Sequence, residues 1–206
     1  MEKGLLIFVQ NPENGIVKPE IAADLGAEKT LQVYNYLLQN TSEITIDLHC
    51  NHFVFYSRYV HVNDVFDDGC YTKFLQEGTT LTERIQHAFT KVFALGCKKV
   101  CLIFADYYEL KQETIEDAFD ALDRVDVVAG PAADRDFYLL GLRSERVDLL
   151  NTGVSFEEGR TLNEFIDKVN QSGFSSFLLP ELNDVDTYEE LSKTDIITRI
   201  KEDLAD

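Results

Sequence analysis

The sequence predicts an α/β protein, built as a three-layer α/β/α sandwich around a mostly parallel sheet. Short apolar runs of strand length alternate along the chain with stretches in which apolar residues recur every three or four positions. The strand-like runs lack the alternating polar residues of a half-exposed sheet, which favours strands covered on both faces. Strands that alternate with helices in this way favour parallel pairing.

Apolar runs of strand length occur throughout the chain, and the last three of them follow the central helices. The runs are residues 4–9, 52–56, 71–75, 100–105, 126–129, 137–142 and 174–179. Gly130 and Pro131 break the chain after the run at 126–129 and lead into a polar loop. We expect that loop to open at the sheet edge where open α/β sheets bind ligands.

Helices are predicted between the strands, and two of them begin at capping boxes. In a capping box a Thr hydroxyl accepts a hydrogen bond from the backbone three residues on, while a Glu at that position reaches back to the first residue. Thr80 with Glu83 and Thr187 with Glu190 have this spacing. Helical periodicity covers residues 27–38, 81–92, 115–122 and 162–169.

Length and composition indicate a single domain, residues 1–206, in a cytoplasmic protein. A chain of 206 residues with 45% hydrophobic content can bury one sizeable core. Its apolar runs are too short to cross a membrane, and its N-terminus lacks a signal-peptide pattern. A formal net charge of −18 repels nucleic acid and anionic lipid, which argues against both as partners; small ligands and a homo-oligomer stay open.

Three aspartates follow predicted strands and are candidates to hold a metal ion. Asp106 comes directly after the strand at 100–105, and Asp184 and Asp186 follow the strand at 174–179 after a short loop. The carboxyl ends of parallel strands share one edge, so these acids can converge there, and a divalent cation would relieve their repulsion. Mg²⁺ typically takes one or two carboxylates and adds waters and substrate phosphates. The alternative, in which the acids only cap loops and helices, stays open.

Familiar local motifs do not settle the chemistry. The loop after the first strand has Lys18 as its only cation, and it contains neither G-x-G-x-x-G nor a Walker phosphate loop. The pair Asp184 and Asp186 lies too near the C-terminus for a haloacid-dehalogenase-type phosphatase, whose motif follows an early strand, and Tyr188 replaces the last motif residue. The D-x-D metal motif of sugar transferases fits the chemistry but usually lies mid-chain.

Four blocks of residues, in order along nearly the whole chain, carry a resemblance to a family. The blocks are residues 4–9 with Pro12, Gly15, Val17 and Lys18; Gly78 with Leu81, Glu83 and Arg84; residues 127–142, including Gly130, Pro131, Ala132 and Asp134; and Leu179, Pro180 and Leu182 with residues 184–187 and Leu191. Together they resemble a bacterial family of GT-A-fold proteins, glycosyltransferase-like or nucleotide-diphospho-sugar transferases. That family is related to phospholactate guanylyltransferase and the molybdopterin nucleotidyltransferases.

The resemblance implies a glycosyltransferase or nucleotidyltransferase that uses Mg²⁺ or Mn²⁺. Its partners would be a nucleotide or nucleotide-sugar and a small-molecule acceptor whose identity the sequence leaves open. The cation would neutralise charge on the phosphates and polarise the reacting bond. The residues so implied are Lys18 and Asp106 for catalysis; Lys18, Arg84, Asp134 and Arg135 for nucleotide or substrate binding; and Asp106, Asp184 and Asp186 for the metal ion.

The chain departs from the usual motifs of that family in four blocks. Glu20 replaces an arginine, so an anion stands where a phosphate-seeking cation is usual. Tyr107 and Tyr108 follow Asp106 in place of small residues and proline. Residues 133–136 lack the two glycines of the usual Glu-Asp-Gly-Gly, and residues 156–158 replace Trp-Ser-Thr.

These departures predict an alternative function, a catalytically degenerate GT-A-like domain that binds a ligand or a protein partner. In that alternative, four aromatic residues would form a contact surface at the mouth of the site. They are Tyr107, Tyr108, Phe137 and Phe156. A further interpretation keeps phosphate binding, with Arg135 supplying the missing cation from the opposite loop.

Overall fold

The computed structural model describes residues 2–133, 137–151, 153–156 and 161–203. Within these ranges, one seven-stranded sheet runs through the molecule in the order β3-β2-β1-β4-β6-β5-β7. Its strands are β1 (Lys3–Val9), β2 (Asn51–Tyr56), β3 (Tyr71–Leu75), β4 (Lys99–Phe104), β5 (Val127–Pro131), β6 (Phe137–Arg143) and β7 (Ser176–Leu178). β6 runs antiparallel to both of its neighbours, and the other pairings are parallel, which confirms a mostly parallel sheet.

Helices connect the strands, and two of the irregular connections also contain helices that the sequence did not predict. The helices are α1 (Pro19–Leu25), α2 (Ala27–Thr45), α3 (Leu81–Ala94), α4 (Gln112–Ala121), a 3-10 helix (Ser144–Asn151), α5 (Thr161–Gln171), α6 (Tyr188–Ser192) and α7 (Ile196–Asp203). The helix α1 and the 3-10 helix were missed, and the one terminal helix predicted from Thr187 is divided into α6 and α7. Both predicted capping boxes are present, at the starts of α3 and α6.

Two apolar cores, one on each face of the sheet, make the three-layer sandwich. Along β1, Leu5 and Ile7 face a core shared with α1, α2, α4, α6 and α7. The alternate residues Leu6 and Phe8 face a second core shared with α3, the 3-10 helix and α5. Each fully buried side chain of this size contributes roughly 1.5–3 kcal/mol. The predicted α/β/α architecture is therefore confirmed.

Two predicted strand boundaries differ from the structure at the β5 end of the sheet. β5 continues through Gly130 to Pro131, where the register with β6 shifts, so the predicted strand end at residue 129 lies two residues too early. The run at 174–179 gives only the three residues of β7, an edge strand that pairs with β5 alone among the described strands. Phe177 and Leu178 consequently remain about half exposed. In the described ranges, no helix combines the length and the apolar character that a membrane crossing requires.

Candidate functional site

A cavity of about 440 Å³ lies at the carboxyl edge of the sheet, where the ends of β1 and β4 meet the start of α1 and the first turn of α3. This is the edge at which open α/β sheets bind ligands. The polar and charged residues that line it are Gln10, Lys18, Glu20, Tyr34, Ser57, Gln76, Arg84, Asp106 and Asp186. Its charged lining of two cations and three acids carries one net negative charge.

An ion triad of Lys18, Asp106 and Asp186 forms one wall of the cavity. The Lys18 Nζ donates to Asp106 Oδ2 at 2.8 Å, and it also donates to Asp186 Oδ1. The Lys18 side chain is only 6% exposed, whereas those of Asp106 and Asp186 are 31% and 51% exposed. Burial alone would lower the pKa of Lys18, but the two carboxylates outweigh burial and raise that pKa well above its usual range. Lys18 is therefore fully charged.

The backbone of Lys18 is in an uncommon conformation that points its side chain at the acids. Lys18 is the N-cap of α1, with φ 47° and ψ 62°, in the left-handed region. A non-glycine residue there costs on the order of 1–3 kcal/mol unless its surroundings hold it. Pro19 begins the helix, and the Lys18 carbonyl accepts from Ala22 at 3.0 Å. The first helical hydrogen bond and the two ion pairs together hold this conformation.

Each acid of the triad is positioned by a different element. Asp106 follows Ala105, whose N–H donates to Phe8 at 3.3 Å and whose carbonyl accepts from the Thr41 hydroxyl at 3.2 Å. This bonding fixes the chain at the end of β4. Residues distant in sequence are thus brought to one place by the shared edge of parallel strands, as predicted.

Asp186 is held by the capping box of α6. Its backbone N–H donates to Glu190 Oε2 at 3.0 Å, and the N–H of Thr187 donates to the same oxygen at 2.8 Å. Glu190 in turn donates from its backbone to the Thr187 hydroxyl at 3.2 Å. Burial would raise the pKa of Glu190, but the N–H donors of Thr187 and Asp186 outweigh it and hold that pKa below its usual range.

The remaining predicted site residues are divided between the cavity and other places. Arg84 lines the cavity, and its Nε donates to the Gly78 carbonyl at 3.1 Å. Asp184 is buried, and it is absent from the described residues that line the cavity. Asp134 and Arg135 lie outside the described residues.

Gly78 is needed where the chain enters α3. Its φ is +135°, and a Cβ atom there would lie 2.7 Å from the Cβ of Glu83 and 2.9 Å from the backbone nitrogen of Arg84. A larger residue would therefore push the β3–α3 connection away from the first turn of α3. This close approach places the Gly78 carbonyl against the Arg84 guanidinium.

Tyr34 is a site residue that sequence reasoning missed. Its hydroxyl accepts from the Gln10 N–H at 3.0 Å and donates to the Gln10 carbonyl at 3.1 Å, which fixes the chain just beyond β1. Burial, and then the charge of Asp106, raise the pKa of Tyr34 above its usual range. In the sequence Tyr34 is one member of an apolar helical stripe, so its hydroxyl gave no separate signal.

The predicted aromatic contact surface is wrong, because these aromatic residues belong to the core. Tyr107, Phe137 and Phe156 are buried. The Phe137 ring lies 5.5 Å from that of Phe156, and the Tyr107 ring lies 5.8 Å from that of Tyr138. Tyr108 is partly exposed, but its hydroxyl donates to Asp195, the residue before α7, at 2.7 Å.

Sequence comparison places this architecture in a family. The model of the family described as "Uncharacterized protein conserved in bacteria (DUF2064)" matches residues 50–156. The chain belongs to this family. No curated protein matches the sequence significantly.

Solved structures confirm the resemblance to nucleotide-diphospho-sugar transferases and their fold. A "putative nucleotide-diphospho-sugar transferase" from Desulfovibrio desulfuricans G20 is 25% identical, with a TM-score of 0.83 over 97% of this chain and 98% of that one. A cytidylyltransferase from Leptospira borgpetersenii serovar Hardjo-bovis is 14% identical, with a TM-score of 0.58 over 100% and 96%. The Rv0371c protein of Mycobacterium tuberculosis H37Rv, in complex with manganese, is 12% identical, with a TM-score of 0.52 over 94% and 97%. The last two similarities concern the fold alone.

The acids at the site fit a divalent cation only in part. Among the residues that the structure describes, no group of three or more His, Cys, Asp or Glu is arranged to hold a metal ion, so Asp184 does not complete a three-acid site. Asp106 and Asp186 supply the two carboxylates that Mg²⁺ typically takes beside phosphates and waters. The Lys18 ammonium, however, lies between them.

Proposed function

We propose that this protein is a divalent-cation-dependent transferase that acts on a nucleotide or a nucleotide-sugar. The observation that carries the proposal is the triad of Lys18, Asp106 and Asp186 on the wall of a cavity of about 440 Å³. That volume lies within the range of ligand pockets, roughly 300–1,000 Å³. The 25% identical relative from Desulfovibrio desulfuricans supports the same class of substrate.

The charge of the cavity favours a nucleotide that enters with its metal ion. The lining has one net negative charge, with Glu20 exposed at the position where an arginine was expected, so a free triphosphate would be repelled. Asp106 and Asp186 would hold Mg²⁺ or Mn²⁺ beside the phosphates. When bound, this ion supplies charge neutralisation and polarises the reacting phosphoryl or sugar-phosphate bond.

The cations of the chain would bind and orient the substrate. Lys18 and Arg84 are the charged donors that line the cavity in the described part of the chain, and we assign phosphate contacts to them. We also assign Asp134 and Arg135, which lie outside the described residues, to substrate binding, as the resemblance implies. Lys18, Arg84, Asp106 and Asp186 come from distant parts of the chain and line one cavity, so we propose one transferase domain with a small-molecule acceptor.

Thermal unfolding in the presence of ligands tests the proposal. Nucleoside triphosphates, with CTP first, and nucleotide-sugars are titrated with Mg²⁺, with Mn²⁺ and with EDTA. A ligand at 100 times its Kd should stabilise the folded protein by about 2.7 kcal/mol. Asp186→Asn should lose this stabilisation, since Asp186 is a proposed metal ligand. Asp123→Asn is the matched control, because Asp123 pairs with Lys99 at the start of β4, at the end of that strand opposite to the cavity.

Two outcomes would remove the proposal, namely no metal-dependent stabilisation by any of these ligands, or equal stabilisation of the Asp186→Asn variant.

The exposed Glu20 favours a second candidate function, a degenerate ligand-binding domain. Glu20→Arg distinguishes the two. If nucleotide binding appears in that variant while the parent shows none, the degenerate domain is the better account.

A further inference from the structure

The ammonium of Lys18 lies in the place that a divalent ion would take between Asp106 and Asp186. We propose that Lys18 exchanges with the metal ion: it pairs with the two acids in the free protein, and it turns to the anionic ligand when a metal–nucleotide complex enters. This inference rests on the proposed function and adds a control device to the same site. It predicts that metal and nucleotide bind cooperatively.

The bonding of the two acids supports an exchangeable lysine. Within the described ranges, Lys18 is the one side chain that bonds to either carboxylate. The acids are 31% and 51% exposed, so an ion in the cavity can reach them, while the side chain of the lysine that bridges them is 6% exposed. Two carboxylates on one ammonium keep a net negative charge, which attracts a further cation.

Lys73 is a second lysine that pairs with two acids, and its side chain is as little exposed as that of Lys18. The two acids are Asp64 and Asp68, and the Lys73 side chain is 6% exposed. Asp64, however, accepts further bonds from the Tyr56 hydroxyl at 2.5 Å and from the Phe66 N–H at 3.1 Å. Neither Lys73 nor these acids line the cavity, among the residues described. Lys73 is thus a structural ion pair and a suitable internal control.

The exchange has a thermodynamic consequence. A metal ion alone must displace the ammonium, which is left without its acids in a buried place, so its binding is weak. A nucleotide supplies phosphate oxygens for the released ammonium, so metal and nucleotide each strengthen the binding of the other. Couplings of this kind are typically 5- to 150-fold.

Manganese binding to the full chain, followed by the electron paramagnetic resonance signal of free Mn²⁺, tests the exchange without nucleotide. The Lys18→Met variant should bind Mn²⁺ at least about tenfold more tightly than the parent does. A change of that size lies within the usual range of such couplings. Lys18→Arg, which keeps the charge, should bind it as weakly as the parent. Lys99→Met is the control for loss of one positive charge, and it should also match the parent. Adding Asp186→Asn to Lys18→Met should abolish the gain.

A second measurement uses the unaltered protein, so it does not depend on the folding of any variant. Lysine acetylation by an N-hydroxysuccinimide ester is followed by peptide mass spectrometry, with and without Mn²⁺. The modification rate at Lys18 should rise about fivefold or more with Mn²⁺, because the ammonium leaves its acids. The rate at Lys73 should stay unchanged.

The outcomes separate this inference from the proposed function. A Lys18→Met variant that is folded but binds Mn²⁺ no better than the parent overturns the exchange, and so does a Lys18 rate that Mn²⁺ leaves unchanged. If nucleotides stabilise the parent with metal under either of those results, the transferase proposal survives alone. If no nucleotide binds but Lys18→Met gains a Mn²⁺ site, the competition of Lys18 with the metal stands and the proposed function fails.

Discussion

Gly130 has no side chain because the ring of Tyr138 occupies the space that a Cβ atom would need. A Cβ at Gly130 would lie 2.3 Å from the Cζ atom of Tyr138. The Tyr138 ring cannot withdraw, since it is fully buried and its hydroxyl donates to the Pro180 carbonyl at 2.9 Å. In the sequence this glycine was interpreted as a strand break. Its physical role is a close approach of side chain to backbone inside a continuing strand.

Gly130→Ala should therefore destabilise the protein through overpacking. We expect a loss of about 1–3 kcal/mol in the free energy of unfolding, measured by urea denaturation. In a Tyr138→Leu background the same substitution should cost clearly less, because the clashing ring is gone. An equal loss of unfolding free energy in both backgrounds would show that the destabilisation does not come from a clash with the Tyr138 ring.

Asp126 joins three elements at the amino edge of β5. Its carboxylate accepts from the Ser175 backbone at 3.0 Å and from the Ser175 hydroxyl at 2.9 Å, which holds the chain just before β7. It also accepts from Arg146 Nε at 2.8 Å, on the 3-10 helix. The Ser175 N–H is the largest cause that lowers the pKa of Asp126, and Arg146 adds to it. An edge strand of three residues is thus reinforced by a side chain.

The contribution of Asp126 to stability should depend on pH. Because its pKa is lower in the folded protein than in the unfolded chain, the stabilisation is complete at neutral pH and is lost as pH falls below about 4. Asp126→Ala should cost about 1–2 kcal/mol at pH 7. The difference in unfolding free energy between parent and variant, measured by urea denaturation across this range, should shrink toward pH 3. A difference that is constant with pH would contradict the assigned bonds.

Elements with strong local signals were predicted well, and those without were missed. β3 has the predicted bounds, and both capping boxes form as their spacing requires. The helix α1 is only seven residues long, and the 3-10 helix has an apolar spacing unlike that of an α-helix, so periodicity found neither. Short elements of this kind are determined by tertiary packing.

The sequence predicted the main residues of the candidate site, but it did not predict the ion pairs between them. Lys18, Asp106 and Asp186 come together at the carboxyl edge of the sheet, where the connections that follow β1, β4 and β7 meet, a rule that sequence order can use. Asp184 stands two residues from Asp186, yet it is buried and does not belong to the described cavity lining. Both acids lie in the irregular segment between β7 and α6, where no periodicity predicts which side chains face the cavity. That the Lys18 ammonium bridges the two acids depends on side-chain positions that no spacing encodes.

At the scale of the whole molecule, the charge of the surface and that of the site have the same sign. The chain carries 37 acidic and 19 basic residues, a formal net charge of −18. Repulsion among like charges destabilises a compact state, and it also opposes the approach of an anionic ligand. A nucleotide would therefore be expected to bind mainly as its metal complex, whose charge is smaller.

Salt should accordingly stabilise this protein at neutral pH. Raising NaCl from 10 mM to 1 M shortens the Debye length from about 30 Å to about 3 Å. If screening removes about 1 kcal/mol of repulsion, the Tm at pH 7.5 should rise by about 2–4 °C. Near the sequence pI of about 4.5 the net charge vanishes, so the same step in salt should leave the Tm almost unchanged. Calorimetry at both pH values checks this, and an equal rise at both would mean that salt acts through exclusion from the protein surface and not by screening.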